Sequence, residues 1–291
     1  MQPENSNSPV WQIKFYGTRG SIPVCDKDYQ IFGGNTSCIY FDVIANPNSL
    51  IGILDAGSGI RNLGKDIISG KIPYAQSIFI SFSHFHWDHI QGLPFFAPAY
   101  DPEQEIVIYA PHKSMDNHSL KQVFEVQMLK EYFPVQLEEM SANIRFHTAE
   151  QFRSYLDVNA LDEFKTNLHN HPGGAYGYRI EANGKSVVVC TDIEHGVELD
   201  EKVIKFCEGA DLLIHEAQYT SEELEKHRGW GHSSYEQAVE VARAAGVKRL
   251  IMTHHDPDHN DEFLMRQEKK WQKVFNNCAL AREGIESMVF L

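Results

Sequence analysis

No C-x-x-C pair stands in this sequence, and its five cysteines, Cys25, Cys38, Cys190, Cys207 and Cys278, are odd in number and irregularly spaced. That excludes a disulfide framework and points to reduced thiols in a cytoplasm. Long apolar runs are also missing. None approaches the ~18 residues that a membrane span requires, so no membrane partner is expected. Residues 1–9 lack a basic segment followed by an apolar one, so they read as a disordered polar tail and not as a secretion signal. Basic charge is short as well: 26 Lys and Arg face 40 Asp and Glu, for a formal net charge of −14. Duplex or tRNA backbones call for a basic face, so this balance counts against extended nucleic acid as a partner. No Pro/Gly/Ser-rich linker breaks the chain, and 42% apolar residues suffice for one large core. Residues 10–291 therefore read as a single domain.

What the sequence does have is a series of apolar strands that end in chemistry-bearing residues. Residues 11–15 alternate apolar and polar side chains, as a half-buried strand does. The loop Gly17-Thr18-Arg19-Gly20-Ser21-Ile22-Pro23 follows. Gly33-Gly34 then opens a second strand, either as a close backbone approach to a site or as a plain turn. The strand 50–54 ends at Asp55, and a short helix is expected over 60–68. Residues 78–82 run into His84, and 186–190 into Thr191-Asp192. Residues 211–214 run into His215-Glu216, and 249–252 into Thr253-His254-His255-Asp256. In α/β proteins ligands sit in the crevice beyond the carboxyl ends of the strands. Four strands delivering such residues at the same end argue for one shared site.

Two helices carry start signals, Thr220-x-x-Glu223 and Ser233-x-x-Glu236, the second opening a helix over 235–245 with Gly246 at its C′ position. Residues 112–165 carry the weakest pattern. Leu120, Phe124, Met128 and Leu129 fall at helical spacing, so this span reads as a helical insertion lying over the site. Tyr132 and Phe133, beside Pro134, could line an entrance or simply pack.

The densest cluster is His84-Phe85-His86-Trp87-Asp88-His89, three histidines and an aspartate in six residues. Imidazole nitrogens and carboxylates are the donors that Zn²⁺ and related divalent ions take. Strand chemistry gives no reason for four metal-capable side chains at such spacing. Ions held there would also offset the acidic charge locally and admit a small anion.

The pattern H-x-H-x-D-H resembles the signature of the metallo-β-lactamase superfamily. The resemblance extends from about Phe15 to Met288, through Asp55, His84 to His89, His171 in Leu168-His169-Asn170-His171-Pro172-Gly173-Gly174, Asp192 and His254. It implies an α/β fold, an αββα sandwich of two mixed β-sheets flanked by helices, and a dinuclear centre. By that mapping His84, His86 and His171 hold one metal, Asp88, His89 and His254 hold the other, and Asp192 bridges. Asp55 would take a ring N–H from a ligand histidine and fix its tautomer. His169 competes with His171, which is preferred because Pro-Gly-Gly follows it as in the family. His255 competes with His254, and the family places its ligand first after the apolar strand. His112, His118, His147, His195, His227 and His259 read as ordinary polar histidines.

Gly17-Thr18-Arg19-Gly20-Ser21, His215-Glu216-Ala217 and Gly231-His232-Ser233 are similar to segments of the family's phosphodiesterase branch. The implied cofactors are two divalent ions, zinc first, with Mn²⁺ or Fe²⁺ as alternatives. The implied reaction is attack of a metal-bridging hydroxide on phosphorus. Asp88, His232 and Glu216 form the catalytic set, His232 protonating the leaving group and Glu216 orienting it. The expected substrate is a small phosphodiester, a 3′,5′-cyclic nucleotide above all, in a cytoplasmic homodimer. Two alternatives are a nuclease like the tRNA 3′-processing endonucleases and a non-catalytic metal-binding sensor or scaffold. The acidic balance of residues 121–150 weighs against the nuclease, and the complete ligand set weighs against the scaffold.

Overall fold

Three separate apolar clusters divide the molecule into four layers, and the alternation of side chains along each strand produces them. The computed structural model describes residues 11–43, 50–73, 75–112, 115–148, 161–284 and 289–290. The expected tail at 1–9 lies outside them. The first sheet contains β1 (Trp11–Gly17), β2 (Cys38–Val43), β3 (Leu50–Leu54), β4 (Ser77–Ser81), β5 (Glu105–Tyr109), β6 (Asn143–His147) and β13 (Val289–Phe290). Their order is β13-β1-β2-β3-β4-β5-β6, antiparallel as far as β3 and parallel from β3 to β6.

The second sheet contains β7 (Glu163–His169), β8 (Ala175–Ala182), β9 (Lys185–Cys190), β10 (Leu212–Glu216), β11 (Leu250–Thr253) and β12 (Cys278–Leu280). Its order is β12-β11-β10-β9-β8-β7, parallel from β9 to β12 and antiparallel at β7 and β8.

Period-two alternation sends the two faces of each sheet to different cores. On β4, Ile78 and Ile80 face outward to one cluster, while Phe79 faces inward to the cluster between the sheets. On β9, Val187 and Val189 join that inner cluster, and Val188 and Cys190 face the outer one. The strands buried on both faces are those that read as continuous apolar runs, as parallel strands under helices must. Helices α1 (Ile60–Ile68) and α3 (Asn117–Gln127) cover the first sheet with Leu63, Leu120 and Phe124. The short helix α2 (Trp87–Ile90) follows β4. Helices α4 (Glu201–Cys207), α6 (Tyr235–Ala244) and α7 (Asp261–Gln272) cover the second sheet, and α5 (Ser221–Lys226) lies after β10. The expected αββα sandwich of two mixed sheets is the observed architecture.

Local signals hold with one shift. Thr220 and Glu223 form the expected capping box of α5, but the cap of α6 is Ser234, paired with Gln237. Ser233 is diverted from that role: its hydroxyl donates to the Ile193 carbonyl, and its N–H donates to Glu216. Among the described residues, the span 112–165 holds α3 and a 3-10 turn at Leu137–Glu139 and then turns to strand, with β6 and the start of β7; residues 113–114 and 149–160 lie outside the described residues.

Candidate metal centre

The parallel strands put their carboxyl ends along one edge of the sandwich, and the polar residues that follow them meet there. Three of these, Asp55, Asp192 and His254, take left-handed backbone angles, with φ of 62°, 52° and 61°. Such angles are sparsely populated by residues other than glycine and gather at functional sites. The turn each makes swings its side chain off the strand axis and into the crevice.

Asp192 lies at the middle. Its Oδ2 is 3.7 Å from His84 Nε2 and 3.8 Å from His171 Nε2. Its Oδ1 is 3.3 Å from His89 Nε2 and 3.5 Å from His254 Nε2. The two carboxylate oxygens therefore face two different groups of donors. His84, His86 and His171 form one, with His171 Nε2 3.0 Å from His86 Nδ1. Asp88, His89 and His254 form the other, with Asp88 Oδ2 3.2 Å from both imidazole Nε2 atoms. Within each group the donor atoms lie within 4.8 Å of one another.

The tautomers are fixed from behind. His89 Nδ1 lies 2.8 Å from Asp55 Oδ2, His171 Nδ1 2.8 Å from the Gly231 carbonyl, and His254 Nδ1 3.0 Å from Gln218 Oε1. His84 Nδ1 sits 3.1 Å from the Ser83 hydroxyl, which itself lies 2.9 Å from Asp55 Oδ2. A histidine whose Nδ1–H is taken turns Nε2 into a free electron-pair donor. His84 Nε2 is buried and has no hydrogen-bond partner, which is costly unless something electrophilic binds there. The donor set thus fits two divalent cations, one per group, with Asp192 reaching both.

Charges follow the same layout. Burial first, and then the neighbouring histidines, lower His84, His86 and His171 below the usual histidine range against the pull of Asp192. Burial also disfavours the charged form of His89, but Asp192, Asp88 and Asp55 outweigh it and push the ring well up. Desolvation opposes the ionised forms of Asp88 and Asp192, yet the surrounding histidines hold both well below the ordinary carboxylate range.

His232 and Glu216 stand at the rim. His232 Nδ1 is 3.3 Å from Glu216 Oε1, without hydrogen-bond alignment, and 4.0 Å from Asp192 Oδ2. Burial works against its imidazolium, but Glu216 and the two aspartates outweigh that and push it up to about 9. Glu216 is fully buried and accepts backbone N–H bonds from Ile193, Gln218 and Ser233 at 3.1, 3.1 and 2.9 Å. It ties three loops of the site together.

The competing histidines lie elsewhere. His169 turns Nδ1 to the Thr191 carbonyl, and His255 turns Nε2 to the Ala281 carbonyl. His195 packs against His215, and His112 lies between the rings of Phe85 and Tyr176. Sequence reasoning missed three positioning groups. Gln218 orients His254, the Ser21 N–H donates to Asp88 Oδ2 at 2.8 Å, and Gly231 orients His171. Ser21 and Gly231 stand in segments that the resemblance singled out, without a role for either; at Gly231, with φ 89°, a Cβ would lie 2.2 Å from His171 Nδ1. Arg19, in the Gly17 to Ser21 segment that resembles the phosphodiesterase branch, is buried and donates to the carbonyls of Gly33, Asp256 and His259, pinning the Ser21 loop in place.

Ribonuclease Z of Picrophilus torridus is 23% identical, with 95% of each chain covered. Ribonuclease Z of Lactococcus lactis subsp. lactis is 24% identical, over 96% of this chain and 99% of the relative. The metallo-beta-lactamase fold protein YhfI from Bacillus subtilis superposes with a TM-score of 0.67 at 17% identity, over 98% of this chain and 100% of that one. These relatives correct one expectation. Ribonucleases that align along nearly the whole chain overturn the argument from acidic charge against extended nucleic acid. Net charge sums over the entire surface, whereas capture of a phosphate is a local event at a cationic centre. The beta-lactamase superfamily domain model matches residues 54–255, and the chain belongs to that family.

Proposed function

We propose that this chain is a metal-dependent phosphodiesterase, with two divalent ions on His84, His86, His171, Asp88, His89, His254 and the shared Asp192. The observation that carries the reading is the division of Asp192, one oxygen toward each donor group. The ribonuclease relatives support the bond type. Zn²⁺ suits the mixed imidazole and carboxylate set first, and Mn²⁺ and Fe²⁺ are the alternatives. When bound, two such ions activate water and neutralise phosphoryl charge.

The chain's own residues supply the rest. Asp55, Gln218 and the Gly231 carbonyl hold the imidazoles in register. Asp88, steadied by the Ser21 N–H, doubles as a ligand and as a proton acceptor toward the attacking water. His232 holds a proton beside Glu216 and donates it to the departing oxygen. Glu216 keeps that proton on the ring until the oxygen departs.

The substrate carries nucleosides on its phosphodiester. The relatives favour an RNA end, and a 3′,5′-cyclic nucleotide is the small-molecule reading. A homodimer in the cytoplasm completes the proposal. The free cysteines support that compartment, and no helix among the described residues is long and apolar enough to cross a membrane. The test is a turnover screen of metal-reconstituted protein against bis-p-nitrophenyl phosphate, cyclic AMP, cyclic GMP and a precursor tRNA. Hydrolysis of the first is expected, and the other three divide the substrate readings. Inactivity toward all four would sink the phosphodiesterase assignment.

A further inference from the structure

Beside the metal centre lies a cavity of about 360 Å³ that the proposed catalytic residues leave unused. Ser21 and Gln218 form its inner wall, and these are the residues that contact Asp88 and His254. Whatever fills the cavity therefore touches the site. Its side is aromatic. The Tyr219 and His227 rings stack at 4.7 Å with 13° between their planes, and Trp230 meets His227 edge-on at 4.7 Å. The Tyr219 ring also stands 5.9 Å from His232 at 79°, so the aromatic wall runs up to the expected leaving-group side.

Trp230 is 60% exposed, which is unusual for an indole on a fixed loop. The loop is fixed: Gly229 and Gly231 on either side of it both donate their N–H groups to the Glu194 carboxylate at 2.8–2.9 Å. A large aromatic face held rigid and left open to solvent is a platform on which a planar group loses little conformational freedom when it stacks. Asp256 and Asp258 give the cavity an acidic rim, whereas the Glu223 carboxylate is taken up by Thr220 and His259. Carboxylates accept hydrogen bonds and repel phosphate. The rim therefore suits the N–H edge of a ring whose phosphate points away, toward the metals.

We infer that this cavity is a nucleobase subsite, stacking the base next to the scissile phosphate on the Trp230 face, with the His227 ring bracing that indole edge-on, and selecting bases with an exocyclic amino group. The inference rests on the phosphodiesterase reading and names its substrate class: a nucleotidyl phosphodiester, not a simple alkyl one.

Binding separates the two ideas without turnover. Calorimetric titration of metal-loaded protein with AMP, GMP, UMP and ribose 5-phosphate compares ligands that share a phosphate and differ in the base. One stacked base is worth roughly 5- to 100-fold in affinity, so AMP and GMP should bind about that much more tightly than ribose 5-phosphate, with UMP weaker than either. Trp230→Ala and His227→Ala should pull the AMP to ribose 5-phosphate ratio toward one while leaving ribose 5-phosphate affinity unchanged, and Trp230→Phe should retain part of the ratio. Because Trp230 is a surface side chain, its truncation leaves the fold intact. Equal binding of AMP and ribose 5-phosphate, no binding of either, or an unaltered ratio in Trp230→Ala overturns the subsite. UMP binding as tightly as AMP overturns the selection for amino-bearing bases. Failure to hydrolyse bis-p-nitrophenyl phosphate with the base-dependent ratio intact would instead count against the phosphodiesterase reading alone.

Discussion

The Asp55 carboxylate lies 2.8 Å from Nδ1 of His89, and both side chains are buried. The same carboxylate accepts from the Ser83 N–H at 2.8 Å, so it locks the ring and the loop that carries it. Removing such an outer partner typically weakens metal binding by about 10–100-fold. Asp55→Ala is therefore expected to lose metal affinity by that factor in a competitive chelator titration. Affinity equal to the parent would show that the contact merely braces the loop.

Asp192 makes a sharper case, because one residue faces both donor groups. Protein prepared without chelator is expected to hold close to two ions per chain by elemental analysis. Asp192→Ala should empty or disorder both positions together, since each group loses its shared carboxylate. Loss of a single ion with the other retained at full affinity would contradict a bridging role.

Loading should also release protons. In the metal-free protein Asp192, Asp88 and Asp55 keep His89 charged well above the usual histidine range against the effect of burial, whereas burial leaves His84, His86 and His171 neutral more readily. A cation on His89 displaces its proton, so at neutral pH uptake should free about one proton or more per chain. Because the raised pKa belongs to the metal-free state, apparent metal affinity must weaken as pH falls. Calorimetry in buffers of different ionisation enthalpy counts the protons directly, and a count of zero would mean that His89 is not displaced.

Apart from His171, which only the resemblance placed, the ligand-type residues were legible because they follow apolar strands whose runs are visible in the sequence, and the parallel register brings those ends together. His84 to His89 needed no tertiary information. Gln218 and Ser21 were not legible, since a glutamine and a backbone N–H carry no metal-ligand signature and act only through distant partners. Arg19 was hidden for a related reason: its partners are carbonyls, which any sequence supplies. The argument from net charge failed because it averaged over the surface what the site arranges locally. The span 112–165 was obscured because an edge strand, β6, has half-exposed residues and lacks the doubly buried apolar run that marked β4 and β9.

Large apolar side chains are left on the surface between residues 87 and 132, with Trp87 64% and Tyr132 70% exposed and Phe95, Val126 and Leu129 also open. Exposed apolar side chains mark an interaction face where they adjoin, as Phe95 and Phe133 do with ring centroids 5.3 Å apart. A homodimer is the expected use, with light scattering at micromolar concentration returning twice the 33.2 kDa of one chain. Tyr132→Glu should shift that mass toward the monomer. A parent protein that already scatters as a monomer would reject the dimer.

The last prediction separates proton donation from metal binding at His232. Its ring sits 5.1 Å from that of His254 and near Asp192, so it is close enough to be mistaken for a ligand. If it donates to the leaving oxygen, His232→Ala keeps both ions and binds substrate nearly as before, while turnover falls by ~10²–10⁴. The loss should shrink for p-nitrophenolate, which departs without a proton, and should be largest for an alkoxide such as a ribose oxygen. Glu216 raises His232 and pins Ile193, Gln218 and Ser233 through their N–H groups. Glu216→Gln removes the charge that raises His232, so the alkaline limb of the pH–rate profile, set by deprotonation of that acid, should move to lower pH. Glu216→Ala would instead disturb three loops and lower thermal stability as well. Equal losses for good and poor leaving groups in His232→Ala would make His232 a phosphate-binding or structural residue. Loss of an ion from that variant would move it into the metal-binding set, beside His171 and Asp192.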